Sequence, residues 1–247
     1  PIVIAELLIG KKGRAGSVGS MRVLVKEQSL SSFWVGIGYL NQFAALLIQV
    51  TYAVIAGWVL LYFSRALTEG FVQIVPSVAA AEYEAITKNF FATLFWTISS
   101  IFFCGLILFF GLKNGIERAV GFMMPILFFV MILLITFNIF AGGFKEALIW
   151  LFEPDFSKIT PEVCLAALSQ AFFSIGVAMA VMMTYGSFLP QGSNVFSSAF
   201  IIVFADTIVA ILAGLVIFPV VFSSNLDPAA GPGLIFQVLP VAFSDMP

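Results

Sequence analysis

The sequence predicts an all-α polytopic membrane protein, and three observations carry that prediction. Of 247 residues, 61% are hydrophobic and 10% charged, with a mean hydropathy of +1.10, against roughly 45–50% apolar and about 25% charged in soluble domains. Several uninterrupted apolar runs reach the roughly 20 residues that a helix needs to cross about 30 Å of hydrocarbon. Those runs do not alternate polar with apolar residues, as the strands of a transmembrane barrel would.

Bounded by charged and turn residues, the runs mark six spans at about 1–10, 36–63, 90–111, 119–140, 162–187 and 196–222. The first is cut short at Pro1 and no signal peptide can be read, so the chain is expected to be a piece of a longer protein. The tail 223–247 reads as a loop with a short helical stretch near 233–243. No internal short repeat is visible, and residues 1–247 are expected to form one membrane domain. Lys and Arg set the orientation. The connections 11–35 and 112–118 hold Lys11, Lys12, Arg14, Arg22, Lys26, Lys113 and Arg118, and are expected to be cytoplasmic. The opposite connections hold Arg65, Lys88, Lys145 and Lys158, with most of the acids: Glu69, Glu82, Glu84, Glu146, Glu153 and Asp155.

The composition also excludes chemistry. There is no histidine, which removes imidazole triads, His metal sites and His proton relays. The two cysteines, Cys104 and Cys164, are too few and too far apart for a disulfide framework or a metal site. A net charge of −2 without a basic stripe gives nucleic acid nothing to bind.

A few polar residues stand where hydrocarbon is expected. Asp206 lies near the middle of "FIIVFADTIVAILAG", where a carboxylate costs roughly 2.5–3.5 kcal/mol on insertion scales. It reads either as a cation ligand or as a structural Asp bonded between helices. Glu6 in "PIVIAELLIG" is one turn from "KKGR" and could be interfacial. Tyr52, with Gln49 and Thr51, puts hydrogen-bonding groups deep in the second span, as a ligand contact or as glue between helices. Within "SQAFFSIGVAMAVMMTYGS", Gln170, Ser174 and Gly176 interrupt an apolar run. They read as a discontinuous helix facing a cavity, or as small residues that let helices pack closely. Gly115 and Pro125, ten residues apart in "GIERAVGFMMP", would make the start of the fourth span easy to unwind.

In that order the motifs resemble the neurotransmitter:sodium symporter family, in its bacterial amino-acid-transporter branch. The match rests on "PIVIAELLIGKKGR", "GIERAVGFMMP", "WLFEPDFSKI", "SQAFFSIGVAMAVMMTYGS" and "ADTIVAILAGLVIFP". The resemblance implies a partial LeuT-like inverted-repeat fold, second to seventh helices, with the first helix and the eighth onward missing. It implies substrate contacts at Ile48, Tyr52, Phe173, Ser174, Gly176 and Met179, and sodium ligation by Ser174 and Asp206. Glu6 becomes a buried acceptor for the broken helix. Gln170 falls near the halide site of chloride-dependent members, and Glu117, Tyr185 and Ser187 fall at the cytoplasmic gate. Gly115 and Pro125 match a spacing linked to unwinding.

The chain departs from the family where Ala178 and Ala180 replace frequent glycines. A tighter break is therefore expected, with "VAMA" starting the second half-helix early. The expected function is a sodium-coupled symporter of an amino acid or amine in the bacterial inner membrane. It would do no covalent chemistry, need no cofactor beyond sodium as coupling ion, and run without chloride because Asp206 supplies the negative charge. The lipid bilayer is its medium, and a homodimer is compatible with it. A channel or a non-transporting scaffold on the same fold is the alternative.

Overall fold

The computed structural model describes residues 1–68, 70, 74–229 and 231–244, so Glu69 lies outside the described residues. These form eleven α-helices: α1 (Ile2–Gly13), α2 (Ser17–Glu27), α3 (Val35–Thr68), α4 (Pro76–Lys88), α5 (Phe90–Phe109), α6 (Arg118–Ala141), α7 (Phe144–Phe152), α8 (Pro161–Ile175), α9 (Val181–Phe188), α10 (Val195–Ser223) and α11 (Leu234–Ser244). No strand occurs among the described residues. Four segments are long and apolar enough to cross a bilayer: Ser32–Thr68, Phe90–Phe109, Asn114–Phe140 and Val195–Ser223.

Helix starts follow local chemistry. Thr160 accepts the Val163 N–H at 3.4 Å ahead of Pro161 at the first helical position, a residue whose missing N–H would have had no partner there. Asn89 accepts the Ala92 N–H at 3.1 Å and starts α5. Asn194 accepts the Phe196 N–H at 3.0 Å and starts α10.

Helices occupy all six expected spans, four of them long enough to cross a bilayer, with 1–10 a short helix and 162–187 divided into α8 and α9, and α11 falls where a short helix was expected in the tail. Four connections differ from expectation, those holding α4 and α7 and two more. Residues 11–35 contain α2, whose Ser, Arg and Lys alternate with Val, Met and Leu, so its apolar stripe is too narrow to register as an apolar run. Residues 112–118 are not a loop: Leu112–Glu117 is a π-helical turn, and the chain reverses at Gly111 with φ 77°. With ψ at −170° the backbone there lies in a region essentially reserved for glycine, which enters it without a steric penalty.

The chain divides into two compact units, residues 1–50 with 155–209, and residues 51–154 with 210–247. In the first, α1 packs against α9 around Val3, Leu7, Val177, Met182, Val195 and Ala199. Two glycines permit the approach. A Cβ at Gly10 would fall on the Met183 carbonyl, and one at Gly186 on the backbone of Leu7. In the second unit α3 and α5 run antiparallel, with Ser100 Oγ donating to the Ala53 carbonyl at 3.0 Å and Trp58 Nε1 to Thr93 Oγ1 at 3.4 Å. There α11 seats Phe236 against Tyr83, stacked at 5.7 Å, and edge-on to Trp58 at 5.8 Å. Such aromatic pairs add about 0.5–1.5 kcal/mol each beyond their buried area.

Candidate functional site

The sixth span is broken. Helix α8 ends at Ile175, and its last carbonyls are closed by a two-bond cap: Val177 N–H to Phe172 O at 3.0 Å, and Gly176 N–H to Phe173 O at 3.2 Å. Gly176, at φ 80° and ψ 32°, supplies the left-handed residue this cap requires. Residues 176–180 then run without helical bonding until α9 opens at Val181. The expectation of a tight break is therefore corrected: "VAMA" does not start the second half-helix. Ala178 and Ala180 both sit at positive φ, 62° and 60°, a conformation that costs a residue with a Cβ roughly 1–2 kcal/mol.

Something must hold them there, and side chains from α1 and α10 do. Glu6, 5% exposed, accepts the Ala178 N–H on Oε1 at 2.8 Å. Its other oxygen, Oε2, is buried with no hydrogen-bond partner among the described residues. The proximity of Glu6 to "KKGR" suggested an interfacial acid; in the fold it is the anchor of the break. On the other side Ser174 Oγ donates to both carboxylate oxygens of Asp206, at 2.8 and 3.0 Å. Asp206 is thus bonded between helices, α8 and α10, and is half-buried.

The break leaves backbone groups unspent. Among the described residues the carbonyls of positions 174–179 accept no backbone hydrogen bond. Hard monovalent cations take oxygen donors, and this corner offers a carboxylate, a hydroxyl and unpaired carbonyls. No group of three His, Cys, Asp or Glu that could hold a metal occurs among the described residues.

The other expected residues divide between the two units. Gln170 and Phe173 lie on α8, Met179 in the break, Ile48 half-buried on α3, and Tyr185 and Ser187 on α9, all within the first unit. Ser187 donates to the Thr184 carbonyl at 2.6 Å. Tyr52, one turn beyond Ile48 on α3, belongs to the second unit, as do Gly115, Glu117 and Pro125. Gly115 is buried in the π-helical turn, where a Cβ would fall on the Ile107 carbonyl; Pro125 lies inside the continuous helix α6. The fourth span is therefore wound in this structure, with a wide turn in place of an unwound start.

Three residues at the site escaped the sequence reading. Arg14 Nη1 donates to the Ser187 carbonyl at 3.2 Å and also to that of Leu189, and Lys11 Nζ donates to the Ser193 carbonyl at 2.6 Å. They cap the end of α9 and its following turn. Asn41, buried, lies with Nδ2 3.9 Å from Met183 Sδ. Arg14 and Lys11 had been read only as orienting charge; the signal was their place in the last turn and cap of α1. In the "WLFEPDFSKI" loop, Asp155 accepts from the Ser157 hydroxyl and lies 3.1 Å from Lys158 Nζ, which together hold its carboxyl below the usual range.

A helix broken in mid-span beside an acid-and-hydroxyl pair is the architecture of a transporter core. The chain belongs to the sodium:neurotransmitter symporter family, whose model matches residues 84–247. It is 35% identical over its whole length to an uncharacterised sodium-dependent transporter of Bacillus subtilis, covering 54% of that protein. It is 34% identical, again over its whole length, to one of Haemophilus influenzae, covering 55% of it. Among solved structures it is similar to MhsT in complex with L-phenylalanine, with a TM-score of 0.90 and 36% identity, covering all of this chain and 55% of that one. The fold is thus part of the LeuT-like transporter fold, and the protein is a multi-pass membrane protein. The chain spans about half the length of the relatives it matches.

Proposed function

We propose that the chain is part of a sodium-coupled symporter that carries an amino acid or related amine into a bacterial cell by alternating access, without chloride. The observation that carries this reading is the Ser174–Asp206 pair beside a break whose carbonyls are unspent. Sodium seated there would take Asp206 oxygen, Ser174 Oγ and one or more of the 174–179 carbonyls. The Ser174 hydroxyl would turn its lone pairs to the ion and give up its bonds to Asp206. The same carbonyls and the open N–H groups at the start of α9 would meet the ammonium and carboxylate of a zwitterion. Ion and substrate would then stabilise one arrangement of the break together, which is the physical content of coupling. MhsT was solved with L-phenylalanine, which supports an amino-acid substrate. Asp206 supplies a fixed negative charge to balance sodium, so no anion need be recruited.

The test is uptake of a labelled amino-acid panel by proteoliposomes holding the full-length protein, under an inward sodium gradient, in chloride and in gluconate. Sodium-driven uptake of equal rate in both media is expected. Loss of uptake in gluconate overturns chloride independence, and absence of any sodium-dependent uptake or binding overturns symport.

A further inference from the structure

A second polar site lies in the other unit, far along α3 from Tyr52. A cleft of about 370 Å³ is lined by Leu61, Ser64 and Arg65 of α3, Glu82, Ala85 and Ile86 of α4, Asn89, and Ala92 and Trp96 of α5. Its floor is apolar, with Leu61 and Ile86 buried. Two opposite charges face each other across it, Arg65 Nη1 and Glu82 Oε2 at 3.8 Å. Three other ion pairs among the described residues close to 3.1 Å or less. Arg65 and Glu82 stand further apart than any of these, and no side-chain hydrogen bond is formed by either among the described residues. A guanidinium carries five donors in a planar fork and a carboxylate two acceptor oxygens, so the pair retains nearly all of its bonding capacity. Both side chains are only about a third exposed.

The depth of the cleft says what could use that capacity. α3 and α5 are both long and apolar enough to span a bilayer, and the cleft sits at the end where α3 finishes and α5 begins. Trp96 is six residues beyond Phe90, the first residue of α5, about 9 Å along the axis, and Trp is enriched toward the boundary of hydrocarbon and headgroups. Phe91 and Phe95, which precede Ala92 and Trp96, are exposed and offer a surface for acyl chains.

We propose that this cleft holds the headgroup of a zwitterionic lipid bearing a primary ammonium, its phosphate on Arg65 and its ammonium on Glu82. The guanidinium fork matches a phosphate bidentately. Glu82 selects the cation: a primary ammonium has three N–H donors and a quaternary one has none. A headgroup with only negative charge would leave Glu82 facing it unbalanced. This site is independent of the sodium reading and could exist in a protein that transports nothing.

The test is native mass spectrometry of the full-length protein in detergent, titrated with dioleoyl phosphatidylethanolamine, phosphatidylcholine and phosphatidylglycerol, with free phosphoethanolamine as a soluble competitor. Wild type is expected to retain the ethanolamine lipid about tenfold better than the other two, as a charge-assisted bond gained or lost implies. Arg65→Gln, Glu82→Gln and Ala85→Phe, which fills the cleft and leaves both charges, should each lose that preference while sodium-dependent ligand binding persists. If the charge variants fail to fold, Ala85→Phe alone decides. Equal retention of the three lipids by wild type, or a preference that survives Ala85→Phe, overturns the proposal. Phosphoethanolamine binding as tightly as the lipid also overturns it, in favour of a soluble solute.

Discussion

Two stretches among the described residues, one inside the sixth span and one in the turn that leads into α6, leave α-helical geometry in opposite ways. At Gly176–Ala180 the helix stops, and side chains from other helices hold the gap: Glu6 on the Ala178 N–H, and Asp206 on Ser174. At Leu112–Glu117, after the chain reverses at Gly111, the next helix starts as a π turn, whose i→i+5 bonds lie within the segment. At Gly115 it lies close against backbone, that of Ile107 and Phe110. The difference is what becomes of the backbone dipoles. An anchored gap frees carbonyls for a ligand, whereas a π turn alters winding and leaves none over.

The sharpest way to break this contrast is to remove the charge from one anchor. Asp206→Asn keeps the shape and one acceptor oxygen, and is expected to weaken sodium binding by about 2–3 kcal/mol, on the order of a hundredfold. Sodium titration of ligand binding to the full-length protein measures it. Gly115→Ala should leave that titration in place, because the π turn offers the ion nothing. A sodium affinity unchanged in Asp206→Asn would remove the carboxylate from the ligand set.

How far this contrast was legible from sequence differs along the chain. The six spans were legible because bilayer thickness forces long apolar runs, and the break itself because Ser and Gly in "FSIG" are poor helix formers in mid-span. The extent of the break was not. Alanine has the best helix propensity, so Ala178 and Ala180 argued for helix, and what overrides them is Glu6, 172 residues away in sequence. The caps given by Lys11 and Arg14 were hidden for a related reason: a cation counted by its side of the membrane has no visible partner until α9 is placed beside α1. Helices α2, α4 and α7 were passed over because a search by apolar run finds membrane spans, and these helices carry Lys, Glu or Arg.

The second anchor separates two contributions that Asp206 combines. Glu6→Ala takes the acceptor from the part-buried Ala178 N–H, and should destabilise the protein by about 1–3 kcal/mol. Glu6→Gln retains an acceptor oxygen, and should recover most of that loss. Thermal unfolding of the two variants with and without sodium gives the comparison. Equal damage from Gln and Ala would mean that the charge on Glu6, and not its hydrogen bond, supports the break.

The smallest effect is also the most discriminating about how the gap is held. Ala178→Gly relieves a left-handed alanine, a gain of about 1 kcal/mol or more. It also adds freedom to the unfolded chain, a loss of about 0.4–1 kcal/mol. The two terms nearly cancel, so the unfolding temperature should shift little if Glu6 alone sets the conformation. Gly111→Ala, by contrast, is expected to cost stability, because φ 77° with ψ −170° is a backbone region essentially reserved for glycine. The variants should also part in hydrogen exchange. Glycine at 178 is expected to speed exchange across residues 176–180, since the chain can then leave the Glu6 oxygen more cheaply. Ala at 111 has no such partner to leave and should change nothing beyond its own turn. A large loss of stability in Ala178→Gly would instead assign the hold to packing of the Ala178 methyl, and the gap would then be a matter of shape rather than of its anchored amide.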